Sequence, residues 1–461
     1  VSTVRPPAMS DVPAGHRPSD EVATSALQLR DRLASGALDC ETLVASCLES
    51  IAASESEIQA WAWLDGDHAI EQARARDAER RRGRGVGPLH GLPVGLKDII
   101  DTKGIPTENG CALDAGRTPR TDAAIVARLR ALGAVVLGKT VTTELAFMQP
   151  SKTRNPGAPG HTPGGSSSGS AAAVAAGMVP LSIGTQTGGS VIRPAAFCGV
   201  VGYKPSFGLV PRTGVLSQAP SLDTIGVFAT CVEDAALLIE PLCFFDAGDE
   251  ASAPRAAPRL LEAALSEPPV TPTLALVQTP FADQADAEML SALGELGAYL
   301  GEQCFQAELP GLFTEGEAAR RIIQNVELAR SFAHYERRGA PLLSAPVREA
   351  IAAGRQVSAV DYLAARDWPG VLNAGLDELF ERCDAILAPA APGAAPLGHD
   401  STGNPVFNGL WTLCGVPAIT MPLLESADGR PMGVQLIGRR GDDARLLRTA
   451  RWLESLMESA T

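Results

Sequence analysis

"GHTPGGSSSGSAAAVAAGMVPLSIGTQTGGSVIRPA", residues 160–195, is the stretch on which the reading of this chain turns. It holds two serine clusters cushioned by glycine, and Ser166 in the first stands 24 residues before Ser190 in the second. The string is too polar and glycine-rich for plain core and too compact for a casual connection. A flexible Ser/Gly linker is the bland reading of "GGSSSGS". Linkers, however, seldom run straight into a segment like "AAAVAAG", which reads as a tightly packing helix. The "TQTGGS" run offers consecutive backbone N–H groups at Thr187, Gly188, Gly189 and Ser190. Its two glycines let the backbone approach a substrate carbonyl with no Cβ in the way. Such a run suits an oxyanion hole, where one donor contributes on the order of 10²–10³ in rate. It equally suits an anion-binding nest for phosphate.

A serine nucleophile needs a base, and the chain has only six histidines. His90 precedes the Lys97 segment and His399 sits in a Pro/Gly-rich loop, and neither context is telling. Gly165-Ser166-Ser167-Ser168-Gly169 matches the nucleophile-elbow pattern, but an elbow needs a strand directly before it, and "NPGAPGHTPG" is not one. The better base is Lys97 in "GLPVGLKDII". A solvated lysine, with a pKa near 10.4, is neutral only about once in 2,500 molecules at pH 7. Burial among Val94, Leu96, Ile99 and Ile100 would disfavour the charged form and bring the amine into range. The hydroxyls of "GGSSSGS" could then pass a proton between lysine and nucleophile. The competing reading is a strand-edge lysine paired with Asp98.

A second short pattern, "GAVVLGKT" (Gly133 to Thr140), formally matches a phosphate-binding loop. A true loop of that kind cradles phosphate with free amides, whereas Ala-Val-Val-Leu reads as a strand whose amides are spent in a ladder. A nucleotide- or phosphate-binding module built on the glycine-rich loops is therefore the alternative from another functional class.

Working outward, helical spacing recurs at "SDEVATSALQLRDRLASG", opened by Ser19/Asp20 capping chemistry and closed at Gly36, and in "DCETLVASCLESIAA". It recurs again in a charged segment over 68–82 and in "AAIVARLRALG". Short apolar runs alternate with these helices, as in "AVVLGKT", "TLALVQ" and "DAILAPA", and "GVPAITMPLLESADGRPMGVQLIG" reads as a hairpin of core strands. The basic run Arg80-Arg81-Arg82 with Arg84 reads as a solvated linker. Residues 1–18 read as a flexible N-terminal tail. Residues 245–272, rich in Pro, Ala and acid, read as a surface excursion from one α/β domain over 19–461.

The formal net charge of −14 argues against a nucleic-acid backbone or an anionic membrane as partner. Nine cysteines are scattered singly with no CxxC pair, which suits reduced thiols rather than a disulfide scaffold or a zinc site. No secretory h-region opens the chain and no apolar run reaches membrane length. A cytoplasmic enzyme without metal or cofactor is expected.

Three strings together, "GLPVGLKD", residues 160–195 and "GYKPSFG", resemble the amidase signature family. The likeness covers nearly the whole chain after residue 19, including "DAILAPAAP", "GVPAITMPL" and "GVQLIGR". The resemblance implies a mixed sheet of about eleven strands between helical layers. It further implies a Ser-Ser-Lys triad, with Ser190 as nucleophile, Ser166 as bridging serine after a cis Gly165–Ser166 peptide, and Lys97 as buried base. Most members carry arginine two residues after the nucleophile, whereas "GGSVIRPA" places Arg193 three residues on. That string, with "GTQTGGS" and "LWTLCGVPA", is most similar to malonamidase members, in which the arginine holds a substrate carboxylate. In the wider family it ties down neighbouring carbonyls. Gln324 in "RRIIQNVELAR" is a further candidate for the substrate pocket. The resemblance implies hydrolysis of small-molecule amides or carbamates, with room for a homodimer. The in-family alternative is a glutaminase-like component of a tRNA amidotransferase, which works with partner chains.

Overall fold

Each short apolar run bounded by glycine, proline or polar residues forms a strand, and the strands join into one sheet. The computed structural model describes residues 24–84 and 86–459. Within them the strands are β1 (Trp61–Leu64), β2 (Pro93–Lys97), β3 (Val135–Thr140), β4 (Leu181–Gln186), β5 (Val201–Lys204) and β6 (Thr224–Ala229). They continue as β7 (Leu274–Gln278), β8 (Cys304–Glu308), β9 (Ala385–Pro389), β10 (Ala418–Glu425) and β11 (Pro431–Ile437). The eleven-stranded sheet has the order β1-β3-β2-β4-β6-β5-β10-β11-β9-β7-β8. It is mixed: β2 runs parallel to β3 and β4, and β7 to β8 and β9, while β10 and β11 form the expected antiparallel pair.

Helices cover the sheet. The first seven are α1 (Ala26–Ser35), α2 (Cys40–Ile58), α3 (Gly66–Arg81), α4 (Ala124–Ala131), α5 (Ser168–Ala175), α6 (Ile192–Cys198) and α7 (Val232–Ile239). The rest are α8 (Leu260–Leu265), α9 (Ala287–Leu300), α10 (Thr314–Ser331), α11 (Ala333–Gly339), α12 (Ala345–Gln356), α13 (Ala359–Phe380), α14 (Val406–Cys414) and α15 (Asp443–Ser459). Strand alternation divides the packing. Leu274, Leu276 and Leu387 enter a large core with α1, α2, α9 and α15, while Ala275, Val277 and Ile386 enter a second with α10, α13 and α14. A third, smaller core joins the end of α10 to α11 and α12. The fold is thus a single α/β domain with an eleven-stranded mixed sheet, as the family resemblance implies.

Two local readings need amendment, the helix start and the basic run. The tail over 1–18 and the Ser19/Asp20 cap lie outside the described residues; α1 is capped instead by Ser25, whose Oγ accepts from Gln28 N. The basic run is the end of α3 and not a linker, because Arg80 folds back onto Asp39 at 2.7 Å and Asp77 at 3.7 Å. The 245–272 excursion carries no strand, but it includes α8 and is pinned by Asp249 to Arg212 at 2.7 Å. All nine cysteines are free, seven of them buried. Among the described residues no helix is long and apolar enough to cross a membrane.

Candidate active site

β2 and β4 run parallel with Leu96 opposite Ile183, so Lys97 and Thr185–Gln186 emerge at the same edge of the sheet. The ends of parallel strands are where open α/β sheets place their ligands. Every residue of β2 is buried, and Val94, Leu96, Ile99 and Ile100 all join the core around Lys97. Lys97 Nζ lies 2.7 Å from Ser166 Oγ and donates to Thr185 Oγ1 at 3.0 Å. Burial holds the amine well below the usual lysine range, and the Asp223 carboxylate partly opposes that shift. Asp98 does not pair with Lys97. It faces Lys139 on β3 at 3.5 Å instead.

The serine run divides its labour. The Gly165–Ser166 peptide is cis. Ser166 meets Lys97, whereas Ser167 Oγ donates to Thr185 O and accepts from Thr185 N, and Ser168 pairs with Ser151 at 2.7 Å. Ser167 is therefore occupied by backbone and fully buried, which leaves nothing of the elbow pattern. "GAVVLGKT" is the buried strand β3, and Lys139 donates to Ile100 O at 2.7 Å and Thr107 Oγ1 at 2.6 Å rather than facing an open phosphate site.

The loop 187–190 is held by its carbonyls and side chains, which frees its amides. Gln186 Oε1 accepts from Val191 N and Ile192 N at 2.9 and 3.0 Å. Thr412 Oγ1 donates to Gly188 O at 2.7 Å, and Arg193 N donates to Gly189 O at 2.9 Å. Among the described residues no group accepts from the amides of Thr187, Gly188, Gly189 or Ser190. A Cβ on Gly188 would meet only Arg320 Nη1, at 3.5 Å, and leaves the approach open as expected, whereas Gly189 has a different reason. A Cβ on Gly189 would lie 2.4 Å from Asn408 Oδ1 and 2.9 Å from Arg193 Nη1, so its place is taken by protein rather than by open substrate space. Ser190 is half-buried, and no hydrogen bond joins it to Ser166.

Ser190 and the loop open onto a cavity of about 430 Å³, lined also by Phe147, Met148 and Arg193, and by Arg320 and Gln324 of α10. That size suits a small organic ligand. Gln324 is locked between partners: its Oε1 accepts from Arg320 Nη1, and its Nε2 donates to Gln218 Oε1 at 2.8 Å. Arg320 in turn is paired with Glu317 at 2.6 Å. Arg193 is buried, with Nε on Thr402 O at 2.6 Å and Nη2 on Gly165 O at 2.7 Å. Only Nη1 is without a partner, and it too is buried. Burial, aided by Arg320, pulls the guanidinium down to about 9.

Thr185, Gln186 and Asp223 escaped sequence reading. Thr185 and Gln186 lie inside the quoted stretch, where strand alternation alone sends their side chains to opposite faces. Asp223 comes from a separate string, "SLDTIG", where an acid immediately before a buried strand was the available signal. No group of three or more His, Cys, Asp or Glu side chains among the described residues converges to hold a metal ion.

A family model described as Amidase matches residues 42–447. A glutamyl-tRNA(Gln) amidotransferase component from Anaeromyxobacter sp. (strain K) is 35% identical over 92% of this chain and 94% of its own. The solved peptide amidase of Stenotrophomonas maltophilia superposes with a TM-score of 0.81 at 30% identity, covering 94% of this chain and 97% of its own. A protein solved in work on a vestigial complex and the origins of an s-triazine catabolic enzyme gives a TM-score of 0.88 at 28% identity. There the coverage is 94% of this chain and 98% of the other.

Proposed function

This chain belongs to the amidase family, and from that premise we propose that it hydrolyses C–N bonds of small-molecule amides or carbamates, with Ser190 as nucleophile. One observation carries the reading: a fully buried Lys97 amine stands 2.7 Å from Ser166 Oγ, beside a loop whose four amides are unoccupied. A buried lysine kept neutral is a base. Ser190 Oγ attacks the planar acyl carbon, its proton passing through Ser166 to Lys97, and the amides of 187–190 receive the oxyanion. Collapse expels the amine with that proton, and water then releases the acyl group by the reverse relay.

A carbamate fits the same steps. Loss of the amine leaves a carbonate ester on Ser190, and its hydrolysis gives an alcohol and carbon dioxide. The cavity, with Phe147 and Met148 in its wall, has room for an aryl or alkyl group of modest size. Reaction with a fluorophosphonate, located by peptide mapping, tests the nucleophile. A panel of anilides, malonamates, aryl carbamates and aliphatic amides then tests the substrate class. Modification at Ser167 instead of Ser190, or no turnover on any member, would overturn the proposal.

The 35% identity to an amidotransferase component favours a second reading, release of ammonia from glutamine for a partner chain. Glutamine turnover that appears only when partner chains are added would select it.

A further inference from the structure

We propose that Asp223 is a positioning residue of the reaction: it holds the oxyanion loop through Thr187 and ties that loop, through Gln218, to the α10 wall of the substrate cavity. The inference rests on the hydrolase reading above. Asp223 is buried at the wall of a second cavity of about 280 Å³, behind the loop. Thr187 and Gln218 line both cavities, so the carboxylate grips from the rear what the substrate meets at the front.

The donors around it require an ionised acid. Asp223 Oδ1 accepts from Thr187 Oγ1 at 2.6 Å. Oδ2 accepts from Gln218 N at 2.9 Å, Ala219 N at 3.0 Å and Ser217 Oγ at 3.2 Å. All four partners donate, and only a carboxylate offers acceptors on both atoms; an asparagine amide would turn N–H groups against N–H or O–H groups. The chain then continues without a gap. Gln218 Nε2 donates to Ala146 O at 3.0 Å, its Oε1 accepts from Gln324, and Gln324 meets Arg320, which meets Glu317. Arg320 Nη1 comes back to within 3.5 Å of the position a Cβ on Gly188 would take, so the far end of the chain returns to the loop where it began.

The charges facing Asp223 are few. Lys97 acts on it from β2. Arg212 donates through Nη1 to the Asp223 carbonyl at 2.9 Å and is itself matched by Asp249. Glu250 and Arg330 line the same cavity. Burial pushes the Asp223 carboxyl up to about 6, with the Thr187 bond and Arg212 opposing. Asp223 is also the charge that offsets the burial of Lys97.

The test uses Asp223→Asn, Thr187→Val and Thr187→Ser, read by kcat, KM and the rate of Ser190 modification by a fluorophosphonate across pH. Asp223→Asn should lower kcat and the modification rate about 100-fold, the scale of a lost or misplaced oxyanion donor, with KM within about threefold. Its acid limb should move to lower pH, because Lys97 loses its offsetting carboxylate. Thr187→Val should lose about tenfold or more with the limb unmoved, and Thr187→Ser should restore the rate. Modification of Asp223→Asn within about twofold of wild type, or an unmoved limb, overturns the inference. If Asp223→Asn does not fold, a wild-type rate in Thr187→Val overturns it equally. Wild type left unmodified at Ser190 would instead sink the hydrolase reading itself.

Discussion

Replacing Arg193 by methionine removes hydrogen bonds to Thr402 O, Gly165 O and Thr402 Oγ1 while keeping an unbranched side chain in the space. Two buried carbonyls lose their partners, at about 1–3 kcal/mol each. Part of this is offset because a buried guanidinium, its pKa already pulled to about 9, leaves with its desolvation cost. A net loss of about 2 kcal/mol is expected. Unfolding entropy near 2.1 cal/mol/K per residue makes one degree worth roughly 1 kcal/mol in a cooperative chain of 461 residues, so Tm should fall by about 2 °C. The effect on catalysis should be larger. Gly165 O belongs to the peptide that carries Ser166, and a shift of about 1 Å in that hydroxyl costs about 100-fold in kcat. Since Nη1 is itself buried, an anionic malonamate and a neutral anilide should lose alike. The assay is kcat/KM on both substrates with a melting curve. A tenfold to hundredfold rise in KM for the malonamate alone, the scale of one hydrogen bond to a charged group, with Tm unchanged, would refute the bracing role and restore Arg193 as a carboxylate clamp.

Ser190→Ala should abolish turnover and fluorophosphonate modification while leaving Tm within about 2 °C, since a hydroxyl at the cavity wall contributes chemistry rather than packing; residual modification elsewhere would point to another nucleophile. Lys97→Met should be inactive yet melt higher, because a buried amine is replaced by an apolar chain of similar volume. The folded pKa of Lys97 lies below its unfolded value near 10.4, so between the two the unfolded chain binds more protons and stability rises with pH. Wild-type Tm should therefore gain on Lys97→Met as pH rises toward 10, whereas kcat/KM should rise through a lysine pKa well below the usual range; parallel melting curves for the two proteins would contradict this. Gly189→Ala should drop kcat by about 100-fold through the clash with Asn408, and Asn408→Ala in the same chain should recover part of it. Absence of recovery would place the fault with Arg193 Nη1 or with the backbone itself.

Much of the fold was legible because its strands are written locally. "AVVLGKT", "TLALVQ" and "GVPAITMPLLESADGRPMGVQLIG" are apolar runs with turn residues at their ends, and each became a strand or a hairpin of the sheet. Helix starts were less legible: "SDEVATSA" holds several capping residues, and only packing against Asp234, which accepts from Ala26 N and Leu27 N, distinguishes Ser25. At the site, chain proximity is no guide to pairing. Asp98 follows Lys97, but neighbours along a strand point to opposite faces, so Asp98 meets Lys139 from the adjacent strand. Asp223 lies 126 positions beyond Lys97, and no local pattern marks a contact of that span. For Arg193 the sequence gives the residue but not the allotment of its nitrogens, and that allotment separates a brace from a clamp.

The division of the hydrophobic interior has a consequence for how such an enzyme could diversify. Lys97, Ser166 and Thr185 sit beside the large core around β2 and β4, whereas α10 lines the cavity and packs with α12 and α13 in the two smaller cores. Polar links from α10 and α11 to the preceding loops include Gln218 with Gln324, Ser221 with Glu327 and Tyr335 with Asp114. A change of residue on the inner face of α10 therefore perturbs one wall of the cavity without passing through the packing that lowers the Lys97 pKa. Recombination libraries that exchange residues 311–380 between relatives, keeping Gln218 and Gln324 matched, should yield folded variants with altered substrate range more often than libraries of equal size cut through residues 160–195.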